Sequence, residues 1–218
     1  MTTLTTPTCS TTGTDIMRIG YADPPYPGCA HLYKDHPDYA GEVDHEELLL
    51  RLDADYDGWV LHTSSVALDH VLHIVAEHGI GCRVMSWVKP FAAYKRNVSV
   101  AYAWEPVLVS AARKPEVSDR LVNRDWIACS ITLRKGLTGA KPEAVCRWAF
   151  EMVGAQPGDE LDDLFPGTGA VTKAWHAWSS DVVNGVVPPK KNPNLTECKE
   201  RIAVLEAKVA QLQARLGD

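Results

Sequence analysis

No C-x-x-C pair occurs among the six cysteines of this 218-residue sequence (Cys9, Cys29, Cys82, Cys129, Cys146 and Cys198). That spacing argues against both a disulfide scaffold and a zinc site, and makes the cytosol the default compartment. No apolar run approaches the length of a membrane span, so no membrane partner is expected. The N-terminus, MTTLTTPTCSTTGT, lacks the basic stretch and apolar segment of a signal peptide and reads as a disordered leader over 1–15. Net positive charge is lacking too: the chain carries -6 at pH 7. The deficit is uneven, since residues 83–147 hold 12 Lys and Arg against 5 Asp and Glu. A basic middle in an acidic chain is either a polyanion-facing surface or a solvated face.

What is present is a regular alternation. IMRIGYA (16–22) reads as a buried strand running into a stiff corner, YADPPYPG, with three prolines around Asp23 and Tyr26. A long loop follows. DHEELLLRL then opens with Asp44 as a helix cap and sets Leu48, Leu49 and Leu52 on one side. GWVLHTSS is a second strand, VALDHVLHIVAEHG an amphipathic helix ending at Gly79, CRVMSWVKP a third strand and EPVLVSAA a fourth. Residues 113–140 read as irregular and charged. KPEAVCRWAFEMVG is helical, DELDDLF a short strand, PGTG a glycine turn, and AVTKAWHAW a helix ending near Trp178. Strand and helix in alternation imply an α/β layer architecture with a mainly parallel sheet.

VVPPKKNPN supplies a linker at 188–193. Beyond it, over 194–217, Leu195, Cys198, Ile202, Leu205, Val209, Leu212 and Leu216 recur at spacings of three and four. Ile202 and Val209 at a, with Leu205 and Leu212 at d, favour a parallel two-stranded coiled coil and hence a homodimer. The other reading is an amphipathic helix folded back on its own domain.

Two motifs carry the chemistry. DPPY (23–26) and DLFPGTG (163–169) each close an expected strand. Alone, the first is an Asp-Pro turn with a buried ring and the second an ordinary strand–helix turn. Together, with α/β chain between them, they resemble the S-adenosylmethionine-dependent amino-methyltransferases of nucleic acids. The tetrapeptide-first order is that of β-class DNA methyltransferases and of the messenger-RNA adenosine methyltransferase-like family. The likeness runs from about Ile16 to Trp178 and includes SWVKP, AWEPVLVSAARK and the Lys-Pro helix before the last strand.

The resemblance implies a Rossmann-like class I methyltransferase sheet with permuted motifs in a domain spanning 16–187, and the heptads add a C-terminal coiled-coil helix beyond it at 194–217. It implies S-adenosylmethionine as cofactor and an exocyclic amino group of a base as acceptor. Such a nitrogen is a poor nucleophile because its lone pair is delocalised into the ring. In the family, an Asp side chain and a proline carbonyl accept its two hydrogens, and rigid prolines hold those acceptors in place. By position, Asp23 is the principal acceptor, Pro24 or Pro25 supplies the carbonyl, and Tyr26 stacks on the extruded base. Gly167 and Gly169 let the backbone approach the methionine moiety. Phe165 walls the adenosine, Asp163 binds the ammonium or orders the turn, Pro166 and Thr168 complete that turn, and Lys141-Pro142 lies against the cofactor.

Adenine is favoured over cytosine because Asp-Pro-Pro-Tyr is commoner among the adenine enzymes, and double-stranded DNA over RNA on resemblance alone. Substrate contacts fall to the basic stretches: Lys89, Tyr94, Lys95 and Arg96 beside Phe91, then Arg113, Lys114, Arg120, Arg124, Arg134 and Lys135. Too little chain follows Trp178 for the family's usual remaining strands. Asp181 or Asn184 is then left to hold the ribose; otherwise the sheet is trimmed and the ribose is held from elsewhere, or cofactor affinity is low. Other chemistries fit less well. No Pro-Cys pair is present for attack on cytosine C5. His70, His73 and His78 share a helix without metal-ligand spacing, so no metal is expected. A non-catalytic scaffold of the same fold remains the alternative from a different functional class.

Overall fold

The computed structural model describes residues 15–34, 41–91, 98–113, 124–131 and 140–185. The leader (except Asp15), the 188–193 linker and the 194–217 coil lie outside them. Among the described residues, β1 (Arg18–Ala22), α1 (His45–Asp55), β2 (Gly58–His62), α2 (Leu68–Glu77), β3 (Arg83–Val88) and β4 (Trp104–Ser110) come first. β5 (Trp126–Ala128), α3 (Glu143–Met152), β6 (Glu160–Asp163) and α4 (Ala170–Val183) follow. The strands form one sheet in the order β5-β3-β4-β2-β1-β6.

Period-two alternation decides what each face buries. Ile19, Tyr21, Val60, Val107 and Val109 pack with Phe150, Trp175 and Trp178 of α3 and α4. Ala22, Trp59, Leu61 and Leu108 point the other way, onto Leu49, Leu52, Val71 and Ile74 of α1 and α2. The result is a three-layer sandwich whose central strands are apolar on both sides, as their sequences require. Asp44 caps α1 as expected, accepting from the Glu46 and Glu47 amides at 3.0 Å each. Gly58 opens β2 where no side chain fits: a Cβ there would meet the Ala112 backbone nitrogen at 2.4 Å.

The sheet is mainly parallel, as expected, and two finer expectations are corrected. One strand is reversed: β4 runs antiparallel to both β2 and β3. Among its described residues the connection from β3 to β4 contributes no helix, and antiparallel neighbours need no crossover. The stretch read as irregular contains β5, which pairs parallel with β3 through Ser86↔Trp126 to Val88↔Ala128. α4 continues past Trp178 to Val183.

The reversal at β4 matters for the site. β1, β2, β3 and β6 end at one edge of the sheet, and β4 begins there, so its second residue, Glu105, joins that edge. β1 pairs with β2 on one side and β6 on the other, while α1 and α4, which follow β1 and β6, lie on opposite faces. The crevice between β1 and β6 is therefore a topological switch point, the place where open α/β sheets bind ligands.

Candidate active site

Both motifs open into that crevice. β1 ends at Ala22, and Asp23, Pro24, Pro25 and Tyr26 follow directly. The proline rings leave this corner few backbone options. Glu42 grips its far side, accepting from the Gly28 and Ala30 amides at 3.3 Å each. The Tyr26 carbonyl accepts from the Cys29 amide at 2.7 Å.

Behind the corner stands a chain of buried polar groups. Lys141 Nζ donates to Asp23 Oδ1 at 2.8 Å and to Glu105 Oε1 at 3.0 Å. It also lies 3.3 Å from the Tyr26 hydroxyl. Glu105 Oε2 accepts from Lys89 Nζ at 2.8 Å, and Glu105 Oε1 is 2.8 Å from His62 Nδ1. His62 Nε2 meets the Tyr21 hydroxyl at 2.7 Å. A carboxylate can only accept, so Nδ1 donates to Glu105 and, in the neutral ring, Nε2 accepts from Tyr21. Trp87 walls both ammonium groups, 4.4 Å from Lys89 Nζ and 5.5 Å from Lys141 Nζ.

Charges alternate along this chain, and their protonation follows. Burial alone would push the Glu105 carboxyl up, but Lys141, the bond from His62 and Lys89 outweigh it and hold it well below the usual carboxylate range. Burial opposes the charge on Lys141, yet Asp23, Tyr26 and Glu105 hold its ammonium well above the ordinary lysine range. Desolvation raises both Tyr21 and Tyr26, which stay neutral phenols. The Cys146 thiol beside Tyr21 is pushed up to about 12, chiefly by burial, and is no nucleophile at neutral pH. Asp23, His62 and Glu105 bring ligand-type atoms within 4.8 Å of one another, but the Lys141 ammonium already bridges Asp23 and Glu105.

Across the crevice, β6 ends at Asp163. Thr172 Oγ1 donates to its Oδ2 at 3.0 Å, whereas Oδ1 is buried with no hydrogen-bond partner among the described residues. Burial pushes this carboxyl up despite the donors from Thr172 and the Phe165 amide. An orphaned carboxylate oxygen is costly unless a cation or donor arrives from outside. The turn above it needs glycine: Gly167 and Gly169 have φ of +45° and +69°, and Gly169 caps α4. Phe165 packs against the α1–α2 core, and Pro166 and Thr168 are exposed at the rim. Pro142 is buried as the residue that starts α3, which sets Lys141 at the helix entrance.

The same fold occurs among solved proteins. The chain shares its fold with M1.HpyAVI. The crystal structure of the M1.HpyAVI–SAM complex matches with a TM-score of 0.51 and 17% identity, covering 75% of this chain and 78% of that one. A second crystal structure of M1.HpyAVI gives a TM-score of 0.45 and 18% identity, over 75% and 77% of the two chains. At these identities the likeness is one of fold. No protein-family profile and no curated protein matches the sequence.

The expected substrate contacts divide. Lys89 sits at the edge of the sheet where the crevice opens, bound to Glu105. Arg113 follows the end of β4 at the opposite edge. Its guanidinium is committed to Asp159 at 2.6 and 2.8 Å and to the Asp15 and Gly154 carbonyls. Arg124 precedes β5, stacked 5.3 Å over Trp126, away from the crevice. Tyr94, Lys95, Arg96, Lys114, Arg120, Arg134 and Lys135 lie outside the described residues. Asp181, one of the two residues considered for the ribose, is 2.7 Å from Arg147 near the far end of α4, about 15–20 Å along the helix from Gly169. Asn184 ends the same helix and bonds Ser180. Tyr21, His62 and Glu105 were not singled out from the sequence as members of the site. Their one local signal is polarity inside otherwise apolar strand runs.

Proposed function

We propose that this chain is an S-adenosylmethionine-dependent methyltransferase acting on the exocyclic amino group of a DNA base, with adenine N6 as the acceptor. The observation that carries the reading is the state of Asp23. Its Oδ1 is fixed by a buried lysine at 2.8 Å, while the carboxylate keeps 19% of its side-chain surface exposed at the crevice. A half-buried carboxylate held in this way at the mouth of a switch-point crevice is a preorganised hydrogen-bond acceptor.

The residues fit the cofactor. The orphaned Asp163 Oδ1 is a ready acceptor for an ammonium group, and the left-handed glycines let backbone approach closely at the entrance of α4. When bound, S-adenosylmethionine supplies an electrophilic sulfonium methyl. The chain's part is to orient the nucleophile. Asp23 and a carbonyl of Pro24 or Pro25 accept the two amino hydrogens, which concentrates the lone pair on nitrogen. The Tyr26 ring offers a stacking surface for the base, worth about 1–3 kcal/mol. Lys141 keeps the Asp23 carboxylate in one orientation, and Glu105 keeps Lys141 in place. Methyl transfer needs no enzyme nucleophile, in keeping with the inert Cys146. Adenine rests on the tetrapeptide tendency, DNA over RNA on the family resemblance, and the dimer on the heptads of 194–217.

The test is transfer from labelled S-adenosylmethionine to unmethylated double-stranded DNA, read by nucleoside mass spectrometry. N6-methyladenine is expected. Asp23→Ala should lower the rate by about 10²-fold or more while cofactor binding persists. N4-methylcytosine would keep the chemistry and change the base. A folded protein that binds no cofactor and methylates neither DNA nor RNA would leave a non-catalytic scaffold.

A further inference from the structure

Beside the catalytic corner, the same edge of the sheet carries a concentration of exposed apolar side chains. Trp104 is 41% exposed although it is the first residue of β4, and it pairs with Val88, itself 36% exposed. Phe91 is 51% exposed, Val100 75%, and Val66, on the neighbouring β2–α2 loop, 69%. Between Ser65 and the 98–104 segment lies an open groove of about 450 Å³ that includes Tyr102 and Trp104. The Ala103 carbonyl accepts from the Lys89 amide at 2.7 Å, which ties this surface to the residue that holds Glu105. Trp104 immediately precedes Glu105, so the exposed indole and the buried catalytic network are successive residues of one strand.

The chemistry of the segment selects the occupant. From Lys89 to Trp104 the sequence has Lys89, Lys95 and Arg96 and no Asp or Glu, with Phe91, Tyr94, Tyr102 and Trp104 interleaved. Lys95 and Arg96 lie outside the described residues. The groove itself is lined by Ser, Val, Ala, Tyr and Trp, with no charged side chain of either sign. Aromatic faces within a basic, acid-free segment of an acidic chain are the composition that takes bases with their phosphates. Paired bases hide their faces inside the duplex, so aromatic rings presented at a surface are useful only against unpaired ones.

We propose that the Trp104 face is a stacking platform for unpaired nucleotides flanking the target base, so that the substrate is a single strand or a locally opened duplex. This rests on the nucleic-acid methyltransferase reading and extends it from the reacting base to its neighbours. Such a platform tolerates many sequences, because every base has a π-face. Relaxed sequence preference follows.

The experiment compares binding of the full chain to a fluorescent oligonucleotide of about 15 nucleotides, single-stranded or annealed, by anisotropy. Wild type, Trp104→Ala, Trp104→Phe and Val100→Glu are tested, with cofactor affinity measured on each by calorimetry. The wild type should bind the single strand more tightly than the duplex. Trp104→Ala should weaken single-strand binding by about 5- to 100-fold, Trp104→Phe should restore most of it, and cofactor affinity should stay constant. Val100→Glu, at an open surface position, should weaken the same binding without unfolding risk. Equal single-strand affinity in all four proteins, or a wild-type preference for duplex, would overturn the proposal. So would light scattering that shows a dimer broken by Trp104→Ala, since the face would then be a contact between copies. Cofactor binding and methyl transfer with unaffected Trp104 variants would sink this inference alone. Absence of both activities would sink the methyltransferase reading beneath it.

Discussion

Replacing Glu105 with Gln keeps the shape of the side chain and deletes the charge at the centre of the network. The carboxylate is 4% exposed and receives Lys141, Lys89 and His62 at 3.0, 2.8 and 2.8 Å. Gln offers one acceptor in place of two and points an amide donor at an ammonium. Removing one partner of a buried ion pair costs about 3–5 kcal/mol. Lys141 keeps Asp23 as a counter-ion and Lys89 has some access to water, so the lower end, about 3 kcal/mol, is expected. For a domain of this size 1 kcal/mol moves the melting temperature by about 2–4 °C, which gives a drop of about 6–12 °C at pH 7.

The pH dependence makes the prediction specific. Glu105 titrates below its unfolded value of about 4.3. Its stabilisation is therefore fully present above that value and is lost as pH falls through the depressed folded value. Calorimetric melts of both proteins from pH 8 down to the acid limit of solubility should show a constant gap that narrows only below about pH 4. Methyl transfer should fall as well, because Lys141 loses the anchor that aims it at Asp23. Melting within a degree of wild type at pH 7, or a gap that persists unchanged into acid, would refute the idea that Glu105 is the anionic hub.

Two further outcomes follow from the same reasoning. Asp163→Asn removes a buried carboxylate whose Oδ1 has no described partner and whose protonation burial already favours, so the unliganded protein should melt no lower than wild type while cofactor affinity falls by about 10-fold or more, read by calorimetry. Arg113→Met leaves Asp159, whose side chain is 3% exposed, without its guanidinium; denaturant titration should show a loss of about 3–5 kcal/mol, while anisotropy should show oligonucleotide binding unchanged.

Local rules made much of this protein legible in its sequence. The prolines of the DPPY corner and the glycines of the PGTG turn restrict or free the backbone within a few residues. Asp44 announces a helix start by a bond that spans three residues, and alternating apolar runs declare strands whatever their neighbours. The two motifs stand at the ends of strands in the sequence, and the structure brings those ends to one crevice. Direction and partnership were another matter. That β4 runs against β2 and β3, and so delivers Glu105 to the edge where the crevice opens, depends on pairings across the sheet that leave no mark on the strand's own pattern. Asp23 and Lys141 are joined over more than a hundred residues of chain, as are Arg113 and Asp159 over 46. Arg113 was read as a phosphate contact because charge looks alike in sequence whether it faces solvent or a buried carboxylate. The sequence determined the elements, the corner and the turn, because those follow from interactions within a few residues. Only the tertiary structure decided which charges meet, because that depends on which strand ends lie side by side.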